Sequence, residues 1–187
     1  MREVLSRLQK ADFTLNPDKM VLGASEIKYL GHLLSRRGVQ ILPERVVTIQ
    51  KYPRPTNLRS LRRFVGMVGL YTRFIPGSAD VVGVLHGLKK KGVRFEWNEQ
   101  HQSAFESLKR PLCEAPVLQI PNFDKDFVLE TEASNQAVSA VLHQRLAVGL
   151  APIAFYSRVL TSAERGYRTY EKGCLAVLFG LISAVHT

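Results

Sequence analysis

Six residues in one short stretch have the types and spacing to hold phosphate. Arg59, Arg62, Arg63 and Arg73, with Gly66 and Gly69, recur on one side of a segment whose other side is apolar. A guanidinium offers paired donors to phosphate oxygens, and a glycine lets a second backbone come close. The charge balance points the same way. The 187 residues carry a net charge of +10. Residues 1–110 hold 20 Lys and Arg against 9 Asp and Glu, whereas residues 111–187 hold 6 against 7. An excess confined to one part of a chain suggests a polyanion partner, and nucleic acid is the usual one. Lys89, Lys90 and Lys91 form a second basic group, which a solvated helix end would explain equally well.

Other chemistries are excluded by count. Two cysteines, Cys113 and Cys174, are too few for a disulfide scaffold or a structural zinc site. They read as small core residues in a reducing, intracellular compartment. A content of 45% hydrophobic and 22% charged residues suits a globular protein and not a disordered tail. No stretch approaches the ~18–20 apolar residues of a membrane helix, so no membrane partner is expected. The charged start lacks a signal-peptide core. The length fits one or two small domains and excludes a complete multidomain polymerase.

The elements that must position these residues follow from period and punctuation. Val4, Leu5 and Leu8 place a helix end in residues 1–10. After a turn at Asn16-Pro17-Asp18-Lys19, two strands are expected at Met20–Leu22 and Ile27–Leu34, joined by Gly23-Ala24-Ser25 and closed by Ser35-Arg36-Arg37-Gly38. A helix spans Pro43–Gln50, and Pro53-Arg54-Pro55 ends it. Three helices follow, at about 57–73, 78–90 and 98–113. In the first, Leu58, Leu61, Phe64, Val65, Val68, Tyr71 and Thr72 face inward, opposite the arginines. Its two glycines each cost roughly 0.8–1 kcal/mol against alanine, so either a close partner backbone or close helix packing must offset them. Short links between these helices predict a small bundle. Strands are then expected at 127–132, 137–143 and 152–159. A capping box at Thr161-Ser162-Ala163-Glu164 starts a helix reaching the end, with Cys174, Val177, Leu178, Leu181 and Val185 as its buried stripe. The fold class is α+β: a β-hairpin and a small helix bundle, then a three-stranded sheet with one long helix.

This order of segments resembles the Pol polyprotein of gypsy-type LTR retrotransposons and, more distantly, retroviral reverse transcriptases. The resemblance is carried by Leu15-Asn16-Pro17-Asp18-Lys19, Tyr29-Leu30-Gly31-His32, Tyr52-Pro53-Arg54-Pro55 and the run from Leu61 to Ile75. It continues through Phe95-Glu96-Trp97, Ala115-Pro116-Val117-Leu118, Leu129-Glu130-Thr131-Glu132-Ala133-Ser134 and Tyr170 to Val177. It implies three parts: 1–42 as the end of the polymerase palm with the primer-grip hairpin, 43–115 as the thumb, and 116–187 as a truncated ribonuclease H-like domain. It implies that Tyr29, Gly31 and His32 grip a primer. It also implies that Arg62, Gly66 and Leu70 face the minor groove of an RNA–DNA or DNA duplex, beside Arg59, Arg63 and Arg73.

The same resemblance implies damaged chemistry. The Tyr-x-Asp-Asp motif of the polymerase is absent from the sequence, so the chain alone is not expected to polymerise. Ribonuclease H cleavage is a two-metal hydrolysis needing about four carboxylates. The position of the first, an aspartate in relatives, is Glu132, the one candidate metal ligand. The position of the second is Gly173, which has no ligand at all. Glu171 lies about 200° away round the helix. No intact catalytic residue is expected, and no cofactor is expected on this chain alone, although the parent family uses Mg²⁺. Three readings follow: a retrotransposon-derived fragment that retains template–primer binding, a segment of an active Pol whose remaining parts are its partners, or a host-adopted, non-catalytic interaction protein.

Overall fold

Three capping boxes set where helices begin. Asn57, Asn98 and Thr161 each accept a hydrogen bond from the backbone N–H three residues on, at 2.9, 3.1 and 3.3 Å. Ser60, His101 and Glu164 return the bond to the cap. Each box satisfies donors that a helix start otherwise leaves open. The computed structural model describes residues 1–186.

A helix α1 (Arg2–Lys10) and a single 3₁₀ turn (Pro17–Lys19) precede an antiparallel meander of β1 (Glu26–Tyr29), β2 (His32–Ser35) and β3 (Gly38–Ile41). This corrects the strand expectations. Met20–Leu22 is not a strand, and the apolar run 27–34 is two strands rather than one. Leu30 and Gly31 adopt positive φ, 47° and 85°, and reverse the chain between them. A two-residue turn with both φ positive matches the twist of the flanking strands.

Helix α2 (Pro43–Gln50) has the expected bounds. Helix α3 (Leu58–Gly69) buries Leu61, Phe64, Val65 and Val68. It stops four residues short of the expected end, and Thr72–Phe74 forms a 3₁₀ turn. Helix α4 (Ser78–Gly87) also ends early, leaving Lys89, Lys90 and Lys91 beyond it in a turn. Helix α5 (Glu99–Cys113) buries Ala104, Phe105, Leu108 and Leu112. Tyr52, Phe64, Phe105 and Trp97 pack ring on ring at 4.5–5.9 Å. One continuous core runs from Ile41 of β3 through these helices to Leu118.

The second sheet has the order β4 (Phe127–Ala133), β5 (Ala137–Leu146), β6 (Gly149–Val159), all antiparallel. The fully buried Gln144 clasps the turn before it, accepting from Asn122 N–H at 2.9 Å and donating to Asn122 O at 2.7 Å. One sheet face meets the bundle. There Ser157 Oγ lies 3.0 Å from Ser78 Oγ and accepts the Ala79 N–H at 3.0 Å.

The last helix is broken. One turn, α6 (Ser162–Arg165), is held by a bidentate Arg158–Glu164 pair at 2.8 Å. The Arg158 guanidinium and the Thr161 cap draw the Glu164 carboxyl down to about 2. Helix α7 (Thr169–Val185) follows. Its expected buried stripe is wrong. Cys174, Val177, Leu178, Leu181 and Val185 are exposed, and Lys172, Ala176 and Gly180 face the sheet. A Cβ on Gly180 would lie 2.9 Å from Ala140 Cβ and 3.1 Å from Leu129. The small side of α7 permits this approach, which its leucine side would block.

Among the described residues no strand pairs with the outer edge of β4. The sheet part is held by two small clusters, around Val138 and Ile153, against the one large helical core. Limited proteolysis is therefore expected to cut within 116–186 before 43–115. Cleavage of both parts at equal rates would contradict this.

Candidate nucleic-acid interface

Helix α3 is fixed on three sides. Its start is tied by the Asn57–Ser60 box, its inner face lies in the core, and buried Tyr71 anchors its end. The outer face presents Arg59, Arg62, Arg63, Gly66 and Gly69, all exposed, with Leu70 beyond them. No carboxylate among the described residues pairs with these three arginines. Five guanidinium donors on each are therefore free for an incoming anion. A Cβ built on Gly66 or Gly69 would meet nothing within 4 Å. Packing within the chain does not require either glycine. Their presence keeps the middle of the basic face low.

Arg73 leaves this stripe, a correction that follows from the early end of α3. It is half-buried at the junction with the sheet, where Nη2 donates to Ile153 O at 3.4 Å and Nε is shielded without a partner.

The hairpin tip divides in the same way. Tyr29 and Leu30 are exposed, at 59% and 76%. Gly31 is pressed against α3's end: Tyr71 Oη donates to Gly31 O at 3.4 Å, and a Cβ there would lie 2.6 Å from that hydroxyl. His32 turns inward. Its ring stacks on Phe74 at 5.7 Å and meets Tyr71 edge-on at 5.4 Å. Burial, and Arg73 nearby, hold its pKa below the ordinary 6.5. The structure thus brings Tyr29, Gly31 and the arginine face together on one scaffold, while His32 and Arg73 serve inside it. The sequence carried no sign of the His32–Phe74 stack, since its partners lie some 40 residues apart.

The expected ribonuclease positions do not assemble. Glu132 is exposed on β4, on the sheet face opposite α7, paired across the strands with Ser139. On that same face Glu130 lies 3.5 Å from His143. Gly173 sits on α7, where an added Cβ would meet open space. Glu171 is committed to the helix start, accepting the Arg168 N–H at 2.6 Å. Next to Gly173, the buried Lys172 donates to Asn135 Oδ1 at 3.1 Å. Among the described residues no three His, Cys, Asp or Glu side chains group to hold a metal. The donor set among the described residues does not fit a pair of Mg²⁺ ions. Among the same residues no helix is long and apolar enough to cross a membrane.

An α+β chain with an antiparallel meander, a helical bundle and a second sheet backed by one long helix has the architecture of the reverse transcriptase–ribonuclease H region. It superposes on a foamy viral protease–reverse transcriptase solved with an RNA/DNA hybrid, with a TM-score of 0.80 at 23% identity. That match covers 98% of this chain and 25% of the other. A foamy viral protease–reverse transcriptase solved with dsDNA gives 0.77 at 23% identity, over 98% and 39%.

Residues 97–186 match the family described as "RNase H-like domain found in reverse transcriptase". The chain is 37% identical over 177 residues to the retrovirus-related Pol polyprotein from transposon 297 of Drosophila melanogaster, covering 94% of this chain and 16% of that protein. It is 32% identical over 182 residues to the Tf2-3 transposon polyprotein of Schizosaccharomyces pombe, covering 97% and 14%. The chain is thus similar to part of retrotransposon Pol polyproteins, and its residues 97–186 are similar to the RNase H-like domain found in reverse transcriptases. It spans about a sixth of the length of these relatives.

Proposed function

We propose that this chain is the template–primer-holding region of a gypsy-type Pol protein, without a working nuclease centre of its own. In this reading 1–42 is the end of the palm with the primer-grip hairpin, 43–115 is the thumb, and 116–187 is the ribonuclease H-like domain. The observation that carries it is the outer face of α3, whose arginines pair with no carboxylate and whose two glycines are required by no packing among the described residues. Gly66 lies in the helix interior, where glycine is a standing cost of roughly 0.8–1 kcal/mol against alanine. A duplex backbone lying against Gly66 would offset it. The complexes of the foamy viral enzymes with duplexes support the same partner. Phosphate contact makes such binding salt-dependent. The test is titration of the chain with an RNA–DNA hybrid between about 50 and 200 mM salt, where a flat response would refute phosphate contact.

Gly66→Ala separates a ligand role from a structural one. The added methyl meets nothing, so the variant is expected to be more stable by about 0.8 kcal/mol. Its affinity for the hybrid is expected to fall, because the methyl stands where the backbone would lie. Calorimetric melting and a binding titration on the same sample measure both. Greater stability with unchanged affinity would remove Gly66 from the interface.

A further expected outcome concerns catalysis. With Glu132 isolated and Gly173 lacking a side chain, Mg²⁺ or Mn²⁺ added to the chain is expected to give no cleavage of the RNA strand above a metal-only control. Metal-dependent cleavage that Glu132→Gln abolishes would contradict this.

A further inference from the structure

We propose that His32 is a proton-sensitive latch holding the hairpin of β1 and β2 on the helical bundle, so that one imidazole governs how the hairpin tip is aligned with the arginine face of α3. The inference rests on the binding reading above and adds a regulation of that same interface.

The ring is held by its aromatic neighbours and by hydrogen bonding toward the Leu30 and Tyr29 backbone. His32 pairs with Tyr29 of β1 and Ile41 of β3 in the meander. Its ring lies nearly parallel to Phe74, at 17°, and stands at 62° to Tyr71. Nε2 is shielded from solvent and has no hydrogen-bond partner among the described residues. A neutral ring can carry that nitrogen as an unused lone pair. A protonated ring would carry at Nε2 a buried donor with nothing to receive it.

Among the described residues the surroundings supply no counter-charge. From the 71–74 segment the titratable and charged groups facing the ring are the Tyr71 phenol and the Arg73 guanidinium. From β1 it is Tyr29, and β3 presents Ile41. Arg73 repels an imidazolium. Hydrogen bonding toward the Leu30 and Tyr29 backbone favours the charged ring but does not outweigh burial, so the pKa stays lowered.

The sign follows. A base whose docked pKa lies below its undocked value of about 6.5 stabilises docking fully above pH 6.5. That contribution declines as pH falls through 6.5 toward the docked pKa. Release would free Gly31, whose carbonyl accepts from Tyr71 Oη at 3.4 Å and from the Leu42 N–H at 3.2 Å. The hairpin tip and the arginine face would then no longer share one rigid frame.

The test compares the wild-type chain with His32→Phe, which keeps an aromatic stack and cannot titrate. Hydrogen-exchange protection of the Leu42 amide reports docking, and hybrid affinity reports the interface, each from pH 7.5 to 5.0. Wild-type protection is expected to drop at least tenfold, with hybrid affinity falling several-fold more than in His32→Phe. Protection in His32→Phe is expected to stay within twofold. Equal falls in the two proteins, or no fall in the wild type, would overturn the latch. A direct NMR titration of the wild-type ring decides the matter if His32→Phe does not fold, since a His32 pKa at or above 6.5 also overturns it. If no hybrid binds at any pH, the binding reading fails, while Leu42 protection still decides the latch.

Discussion

Changing Arg59, Arg62 and Arg63 together to alanine is expected to weaken binding to an RNA–DNA hybrid by two to three orders of magnitude near 100 mM salt. Each phosphate contact contributes roughly 0.9 to the slope of log affinity against log salt. Loss of three contacts should therefore lower the slope by about 2.7. The two measurements must move together, because both count released ions. Folding should not confuse the result. The three side chains are exposed and pair with no carboxylate among the described residues, so their removal breaks no internal contact. Alanine also has the best helix propensity, so α3 is retained. Stability within about 0.5 kcal/mol of wild type is expected. An affinity within twofold of wild type, with the slope unchanged, would move the binding face elsewhere and favour a protein partner. Arg73→Ala should behave differently. Its guanidinium donates to Ile153 O inside the junction, so its loss should lower stability more than salt slope.

The difference between these arginines shows what a sequence can and cannot reveal here. The bounds of α2 and the capping boxes at Asn57, Asn98 and Thr161 depend on residues within four positions of one another, and each is legible in the chain. The arginine stripe is legible for the same reason, because helix period alone separates Arg59, Arg62 and Arg63 from Leu61, Phe64 and Val68. Arg73 continues that period on paper, but Gly69 ends the helix and the next turn is 3₁₀. Gly66 and Gly69 are both local candidates for that stop, and nothing nearby in the chain chooses between them.

Helix α7 fails for another reason. It is apolar on more than one side, so its own period does not choose a buried face. The surface it meets chooses instead. A sheet carrying Leu129, Thr131 and Ala140 admits Gly180 and Ala176, and so turns Leu178 and Leu181 outward. His32 illustrates the longest reach. Its polar type suggests a ligand contact, and only the fold brings Tyr71 and Phe74 over its ring.

Gly38→Ala is expected to cost about 3–5 kcal/mol, the largest effect on stability of any single methyl in the chain. Gly38 opens β3 at φ 131°, a backbone conformation that side chains rarely adopt. A Cβ there would lie 2.1 Å from Leu118 O and 3.1 Å from Leu118 C, so the obstacle is backbone and cannot rotate away. The neighbouring bonds depend on this approach. Val39 N–H donates to Leu118 O at 2.8 Å, and Leu118 N–H donates to Val39 O at 2.9 Å. Leu118 is itself fully buried in the main core with Ile41. Separating the strands would weaken two hydrogen bonds worth about 1 kcal/mol each and open the packing behind them. Backbone strain adds roughly 1–3 kcal/mol. At about 2–4 °C per kcal/mol for a chain of this size, the melting midpoint should fall by about 10 °C. Gly149→Ala isolates the strain, since Gly149 has a similar φ of 125° and open space around its Cβ. If the two variants melt within about 2 °C of each other, the clash with Leu118 contributes nothing. The close seat of β3 on the 117–118 segment would then not be what joins the meander to the bundle.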